Sequence, residues 1–164
     1  QIRTGMRNGE VLSMKWRQNK KTDIGEGHSF SFVYLNMSLT KLVIHFKKKR
    51  REIPIKGDIH EVLVKMKNFE NSKTYVFENN SNGRMKTGTK YDNTSFSRPF
   101  KKLLNEIEIE NNYTSHTLRH GFITDLLRKD KSIVKIGTLV GHSSTRMTEI
   151  YGHLISSDLE DLLY

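Results

Sequence analysis

The residues able to do chemistry lie at the start of this chain and in its last third. In His116-Thr117-Leu118-Arg119-His120, His116 and Arg119 are three positions apart. On a helix they share a face and can present an imidazole and a guanidinium to one anion. His142 follows Gly141 at a helix end, and Tyr151 stands nine positions beyond it, within reach across one turn and a short helix. Arg7 sits just after Thr4-Gly5-Met6, where another helix begins, and a basic run, Lys47-Lys48-Lys49-Arg50-Arg51, completes the set. Two Arg, two His, a Tyr and a basic hairpin without a carboxylate cluster point to metal-free phosphoryl chemistry. Arg forks clamp phosphate oxygens in bidentate fashion, and a phenol can act as nucleophile.

Composition narrows the class further. The chain has 164 residues, with 28 Lys and Arg against 18 Asp and Glu, a formal charge of +10 that favours a polyanionic partner. With no Cys, disulfide frameworks, Cys-ligated zinc, thiolate catalysis and iron–sulfur chemistry are excluded. No apolar run approaches the roughly 20 residues that cross a bilayer, and Gln1-Ile2-Arg3-Thr4-Gly5 is no signal peptide. The expectation is a soluble, cytoplasmic single domain without a membrane partner. His116 and His120 at i, i+4 could ligate a metal, but position 117 is Thr rather than the Glu of a zinc-protease helix. His120 therefore reads as a structural residue beside the site, and His28, His45 and His60 have no evident partners.

Periodicity supplies the elements that must hold these residues. Asn8 can cap a helix running through Val11, Leu12, Met14 and Trp16, and residues 17–29 read as a loop. Phe30, Phe32 and Tyr34 alternate with their neighbours as in a strand. Leu42–Phe46 and Glu52–Ile55 make two more strands around the basic run, giving a small antiparallel sheet. Ile59, Val62, Leu63, Met66 and Phe69 mark an amphipathic helix, Thr74–Phe77 is extended, and 78–94 is loop-like. Ser95 can cap the next helix, with Pro99 tolerable near its first turn. Further helices are expected at about 116–129, 132–140, 145–151 and 156–163. The reading is an α+β, mainly α domain with a three-stranded antiparallel sheet.

With these motifs in hand, the chain resembles the tyrosine recombinases, the phage-integrase family of site-specific recombinases. The matching residues are Thr4-Gly5-Met6-Arg7 with Glu10, Arg51-Glu52-Ile53-Pro54-Ile55, His116-Thr117-Leu118-Arg119-His120, Leu139-Val140-Gly141-His142-Ser143-Ser144 and Ile150-Tyr151-Gly152-His153. They stand in the family's order and cover residues 4–153; Gly121 departs from it, since the family more often has a small hydroxyl residue there. The resemblance implies a helical DNA breaking-rejoining catalytic domain with a three-stranded sheet, gripping double-stranded DNA and needing no cofactor. By position, Arg7 and Arg119 would bind the non-bridging oxygens of the scissile phosphate, His116 would assist proton transfer, and His142 would hydrogen-bond the phosphate. Tyr151 would attack to leave a 3′-phosphotyrosyl bond and a free 5′-hydroxyl. A Tyr of pKa near 10 is only about 0.1% phenolate at pH 7, a deficit of roughly 4 kcal/mol. Charge-stabilising groups around a phosphate are worth about 3–4 kcal/mol each. The proton for the leaving oxygen would come from the hairpin, with Lys47 the first choice and Lys48 and Lys49 the alternates. Lys48, Lys49, Arg50 and Arg51 would contact DNA.

The resemblance also implies that residues 1–164 are the catalytic domain of a longer protein whose N-terminal core-binding domain is absent. The segment after Tyr151 would dock on a neighbouring protomer in a tetrameric synapse on DNA. Two rival functions stay open: a DNA-binding accessory module of this fold without catalysis, and a type IB topoisomerase-like enzyme. The complete set Arg7, His116, Arg119, His142 and Tyr151 argues against the first.

Overall fold

The computed structural model describes residues 1–18, 32–46, 49–69, 74–79, 88–109 and 113–142. Among them the chain forms five helices and one sheet: α1 (Asn8–Leu12), β1 (Met14–Lys15), β2 (Phe32–Leu35), β3 (Lys41–Phe46), β4 (Lys49–Pro54), α2 (Asp58–Phe69), α3 (Asn93–Glu106), α4 (Ser115–Arg128) and α5 (Ile133–Val140). No helix among these residues is long and apolar enough to cross a membrane. Lys47, Lys48, Tyr151, most of the 17–29 loop and the expected helices at 145–151 and 156–163 lie outside the described residues.

The sheet is where expectation and structure part. It has four strands in the order β1-β2-β3-β4, not three, and it is mixed, because β1 runs parallel to β2. The expected helix from Asn8 to Trp16 stops at Leu12. Met14-Lys15-Trp16 instead alternates buried, half-buried, buried, and is pinned on both sides. Met14 pairs with Val33, while the Val76 N–H donates to Met14 O at 2.8 Å. Arg7, not Asn8, occupies the cap position of α1, and Glu10 reaches back to accept the Arg7 backbone N–H at 2.8 Å. Helix α3 starts at Asn93, which puts Ser95 inside it and Pro99 beyond its first turn. The strand expected at Glu52–Ile55 begins three residues earlier, so β4 takes in Lys49, Arg50 and Arg51 of the basic run, while β3, α2, α4 and α5 fall within one residue of their expected bounds.

Alternation decides what each strand offers to either side. On β3 and β4 the pairs Leu42–Ile53 and Ile44–Arg51 face inward, and Phe46–Lys49 continues that row at the hairpin end. On the other face Phe32 and His45 stack with ring centroids 4.3 Å apart, so His45 does have a partner. The inward face joins Met6, Met14, Trp16, Val33, Leu35 and Leu63 in the larger core. A second core holds Ile123, Leu127, Ile136 and Val140 from α4 and α5.

Residues 4–7 join the two cores. Met6 belongs to the first, and Gly5 lies against Phe122 and Val140 of the second. Gly5 has φ +60°, and a Cβ there would sit 2.8 Å from Val140 Cγ1 and from Phe122 Cε1. Both the left-handed backbone and the missing side chain are required. Replacing it, as Gly5→Ala, adds left-handed strain of roughly 1–2 kcal/mol to an overpacking cost of about 1–3 kcal/mol. The expected result is a fall in stability of about 2–5 kcal/mol in urea unfolding, with the slope unchanged. An unchanged midpoint would show that the packing around Gly5 is looser than described.

Candidate active site

The C-terminus of α5 organises the site. Gly141 adopts the left-handed conformation, φ 73° and ψ 49°, that ends the helix. The His142 N–H donates to Gly137 O at 2.9 Å and the Gly141 N–H to Thr138 O at 3.3 Å, the paired bonds of a Schellman turn. Such an end exposes carbonyl oxygens at the negative pole of the helix, where cations are favoured. Two guanidiniums take them. Arg119 Nη2 donates to Val140 O at 2.9 Å, and Arg7 Nη2 donates to Gly141 O at 2.8 Å. Arg119 Nη1 also donates to Gly5 O. Arginines 112 positions apart in sequence are thereby fixed on successive carbonyls, immediately before His142.

Each anchor has a local cause. Arg119 projects from α4, whose start is set by Thr114: its N–H donates to Thr117 Oγ1 at 3.1 Å, and its carbonyl accepts the Thr117 N–H at 3.0 Å. Arg119 is 6% exposed while His116, one turn earlier, is exposed, so the helix carries one buried and one solvent-facing member of the set. Arg7 is fixed from its own helix, with Nη1 3.3 Å from Glu10 Oε1.

Glu10 is the counter-charge, and it is buried. Arg51 Nη2 donates to both its carboxylate oxygens at 2.8 Å, and the Arg51 side chain is only 11% exposed. This corrects the expectation for Arg51. It is not part of the exposed basic surface, because β4 alternation turns it inward with Ile53 and Glu10 captures it. Its guanidinium lies against Gly141, where a Cβ would come 2.7 Å from Cζ. The same alternation sends Arg50 to the outer face, where it pairs with Glu52. Lys49 is exposed at the hairpin end and shares the inward row with Arg51.

Three arginines around one carboxylate leave a net positive field, and the histidines report it. Burial first, then Arg119, Arg7, His120 and Arg51, push the His142 pKa down to about 4. Burial, His116 and Arg119 lower that of His120. His142 is therefore neutral at pH 7 and can donate or accept a hydrogen bond. The described residues thus bring Arg7 and Arg119 together beside His142, an arrangement suited to one oxyanion, with Arg51 held on Glu10 and with His116 and His120 exposed on α4. The sequence named Glu10 beside Thr4-Gly5-Met6-Arg7 but gave no sign of its link to Arg51.

The His142 shift has two consequences. Its folded pKa lies below the ordinary 6.5, so the unfolded chain binds the extra proton. Stability carried by neutral His142 is complete above about pH 6.5 and is lost as pH falls through about 4. An anion placed among the arginines cancels part of their field and raises this pKa. Histidine NMR titration should show His142 titrating near pH 4 in the free protein and shifting upward on addition of a phosphodiester. A free-protein value at or above 6.5 would contradict the described environment.

The chain matches the profile of the phage integrase family over residues 1–157. It is 31% identical over 115 residues to a tyrosine recombinase of Thermosipho africanus, which covers 70% of this chain and 38% of that protein. It is 25% identical over 167 residues to the tyrosine recombinase XerD of Halalkalibacterium halodurans, covering 96% of this chain and 52% of the relative. Among solved structures, XerA recombinase aligns with a TM-score of 0.71 at 23% identity, over 98% of this chain and 53% of that one. XerH site-specific recombinase, bound to palindromic difH substrate in a post-cleavage complex, also gives 0.71, at 22% identity over 99% and 42%. The chain spans about half or less of the length of these relatives. The fold is that of the tyrosine recombinase catalytic region, and with residues 1–157 matched to the family's profile, the chain belongs to the phage integrase family.

Proposed function

We propose that this chain is the catalytic domain of a site-specific DNA recombinase that cuts and rejoins double-stranded DNA without a cofactor. One observation carries the reading: Arg7 and Arg119, from distant parts of the chain, sit on the successive carbonyls Gly141 O and Val140 O beside His142. Family membership supports it, as does the description of XerH on a difH substrate. In this reading Arg7 and Arg119 grip the non-bridging oxygens of the scissile phosphate, and neutral His142 donates a hydrogen bond to it. His116 assists the transfer of the Tyr151 proton. The Tyr151 oxygen bonds to phosphorus as the bond to the 5′-oxygen breaks, leaving a 3′-phosphotyrosyl link. The 5′-oxygen takes a proton from a hairpin lysine. The reverse attack by a 5′-hydroxyl rejoins the strand.

Lys47 remains the first choice for that proton, with Lys48 and Lys49 the alternates. The inward row of β4 favours Lys49 among those described, since it shares the face of Arg51. Lys48, Lys49 and Arg50 supply DNA contacts, while Arg51 acts through Glu10 and Gly141 rather than on the duplex. Lys and Arg contacts of this kind give binding that weakens steeply with salt. The reaction takes place on DNA in the cytoplasm, as part of a prokaryotic or viral element, and residues 1–164 act with a further N-terminal DNA-binding domain. The segment 154–164, carrying Leu154, Ile155, Leu159, Leu162 and Leu163, links protomers into a tetrameric synapse.

Two experiments test this. Nicked duplex libraries that release the cleaved fragment should trap a covalent protein–DNA adduct on a denaturing gel with the wild type and none with Tyr151→Phe, while both bind DNA alike. Adducts of equal yield from both would end the mechanism, and Arg119→Ala should lower the yield by orders of magnitude. Deleting 154–164 should abolish self-association on DNA in sedimentation experiments; unchanged assembly would remove that segment's role.

A further inference from the structure

Phe46 is the last residue of β3, and it pairs with Lys49, the first residue of β4. It is a large apolar side chain, 41% exposed, next in sequence to the basic run Lys47–Arg51. Burial alone gives a weak reason for a phenyl ring there. Its position gives a better one, because the Arg7 guanidinium lies over the ring with Cζ 5.8 Å from the centroid, within cation–π range.

The contact completes the fixing of Arg7. Nη1 is held by Glu10 and Nη2 by Gly141 O, both contacts made at the edge of the planar group, while its faces are left to other neighbours. A ring against one face resists tilting out of that plane and keeps the remaining N–H donors aimed. The hairpin is thereby attached to the start of α1 twice, through Arg51 on Glu10 and through Phe46 under Arg7.

Resting on the reading of Arg7 as a phosphate ligand, we infer that Phe46 is a positioning residue for strand cleavage: its ring sets the plane of the Arg7 guanidinium and holds the hairpin tip in register with it. The ring touches no reacting atom. Its effect falls on the rate after DNA is bound, and it depends on the aromatic face, not on apolar volume.

The test compares Phe46→Leu, which keeps apolar bulk without a π face, with Phe46→Tyr, which keeps both. Single-turnover adduct formation is measured on saturating nicked duplex. Phe46→Leu should be slower by roughly 3- to 30-fold and Phe46→Tyr close to wild type, the span of a cation–π contact. Thermal unfolding of the two variants should coincide. Equal rates for Leu and wild type, or equal slowing by Leu and Tyr, would overturn the inference. If the wild type forms no adduct, the failure belongs to the cleavage mechanism. Phe46 is then judged by titrating dimethyl phosphate against the Arg7 Nε–H resonance: weaker binding in Phe46→Leu than in Phe46→Tyr supports it, and equal binding refutes it.

Discussion

The site depends on the capture of one helix end. Helix α5 stops in a left-handed glycine, and its terminal carbonyls, Val140 O and Gly141 O, each accept a guanidinium N–H. A hydrogen bond to a charged group is worth about 1.5–3 kcal/mol, and here two of them locate functional side chains as well as stabilise the fold. Arg119 comes from α4 and Arg7 from the cap of α1. That helix end brings the two together among the described residues. Gly5 belongs to the same device, because its carbonyl takes the other arm of Arg119 and its missing Cβ lets Phe122 and Val140 close over it.

Cations gathered this closely need a counter-charge, and among the described residues Glu10 is the buried carboxylate that pairs with two of them, Arg7 and Arg51. Glu10 binds Arg7 and Arg51, caps α1 and attaches the hairpin. The remaining positive field is visible in His142, whose pKa burial and its cationic neighbours push down to about 4. A fully neutralised cluster would hold an anion poorly, and an uncompensated one would repel itself apart. One carboxylate against three guanidiniums lies between these limits and leaves attraction for an oxyanion.

Much of this was legible in the sequence, and the exceptions have physical causes. The helix ending at Gly141 follows from spacing and glycine alone, whereas His116 and Arg119, three apart on α4, part into one exposed and one buried side chain. The fourth strand escaped because two residues make no periodic signal, and Met14 and Lys15 are strand only through partners at Val33 and Val76. Arg51 was expected on the exposed basic surface although the clue to its burial was present. Ile53 is buried, so Arg51, two residues earlier on β4, must face the same way. That Arg7 and Arg119 share adjacent carbonyls could not be read from spacing, because it depends on how α4, α5 and the Gly5 turn pack. The place of Tyr151 rests on sequence alone.

The central claim is that Arg7 and Arg119 bind one phosphate together. Side-chain NMR of the arginine Nε–H groups during titration with dimethyl phosphate, with uncharged trimethyl phosphate as control, tests it directly. The account predicts that Arg7 and Arg119 respond along one binding curve while the Arg51 side chain, occupied by Glu10, stays unchanged, and that the neutral ester moves none of them. Separate curves for Arg7 and Arg119, or a response confined to Arg50 and other exposed side chains, would contradict it.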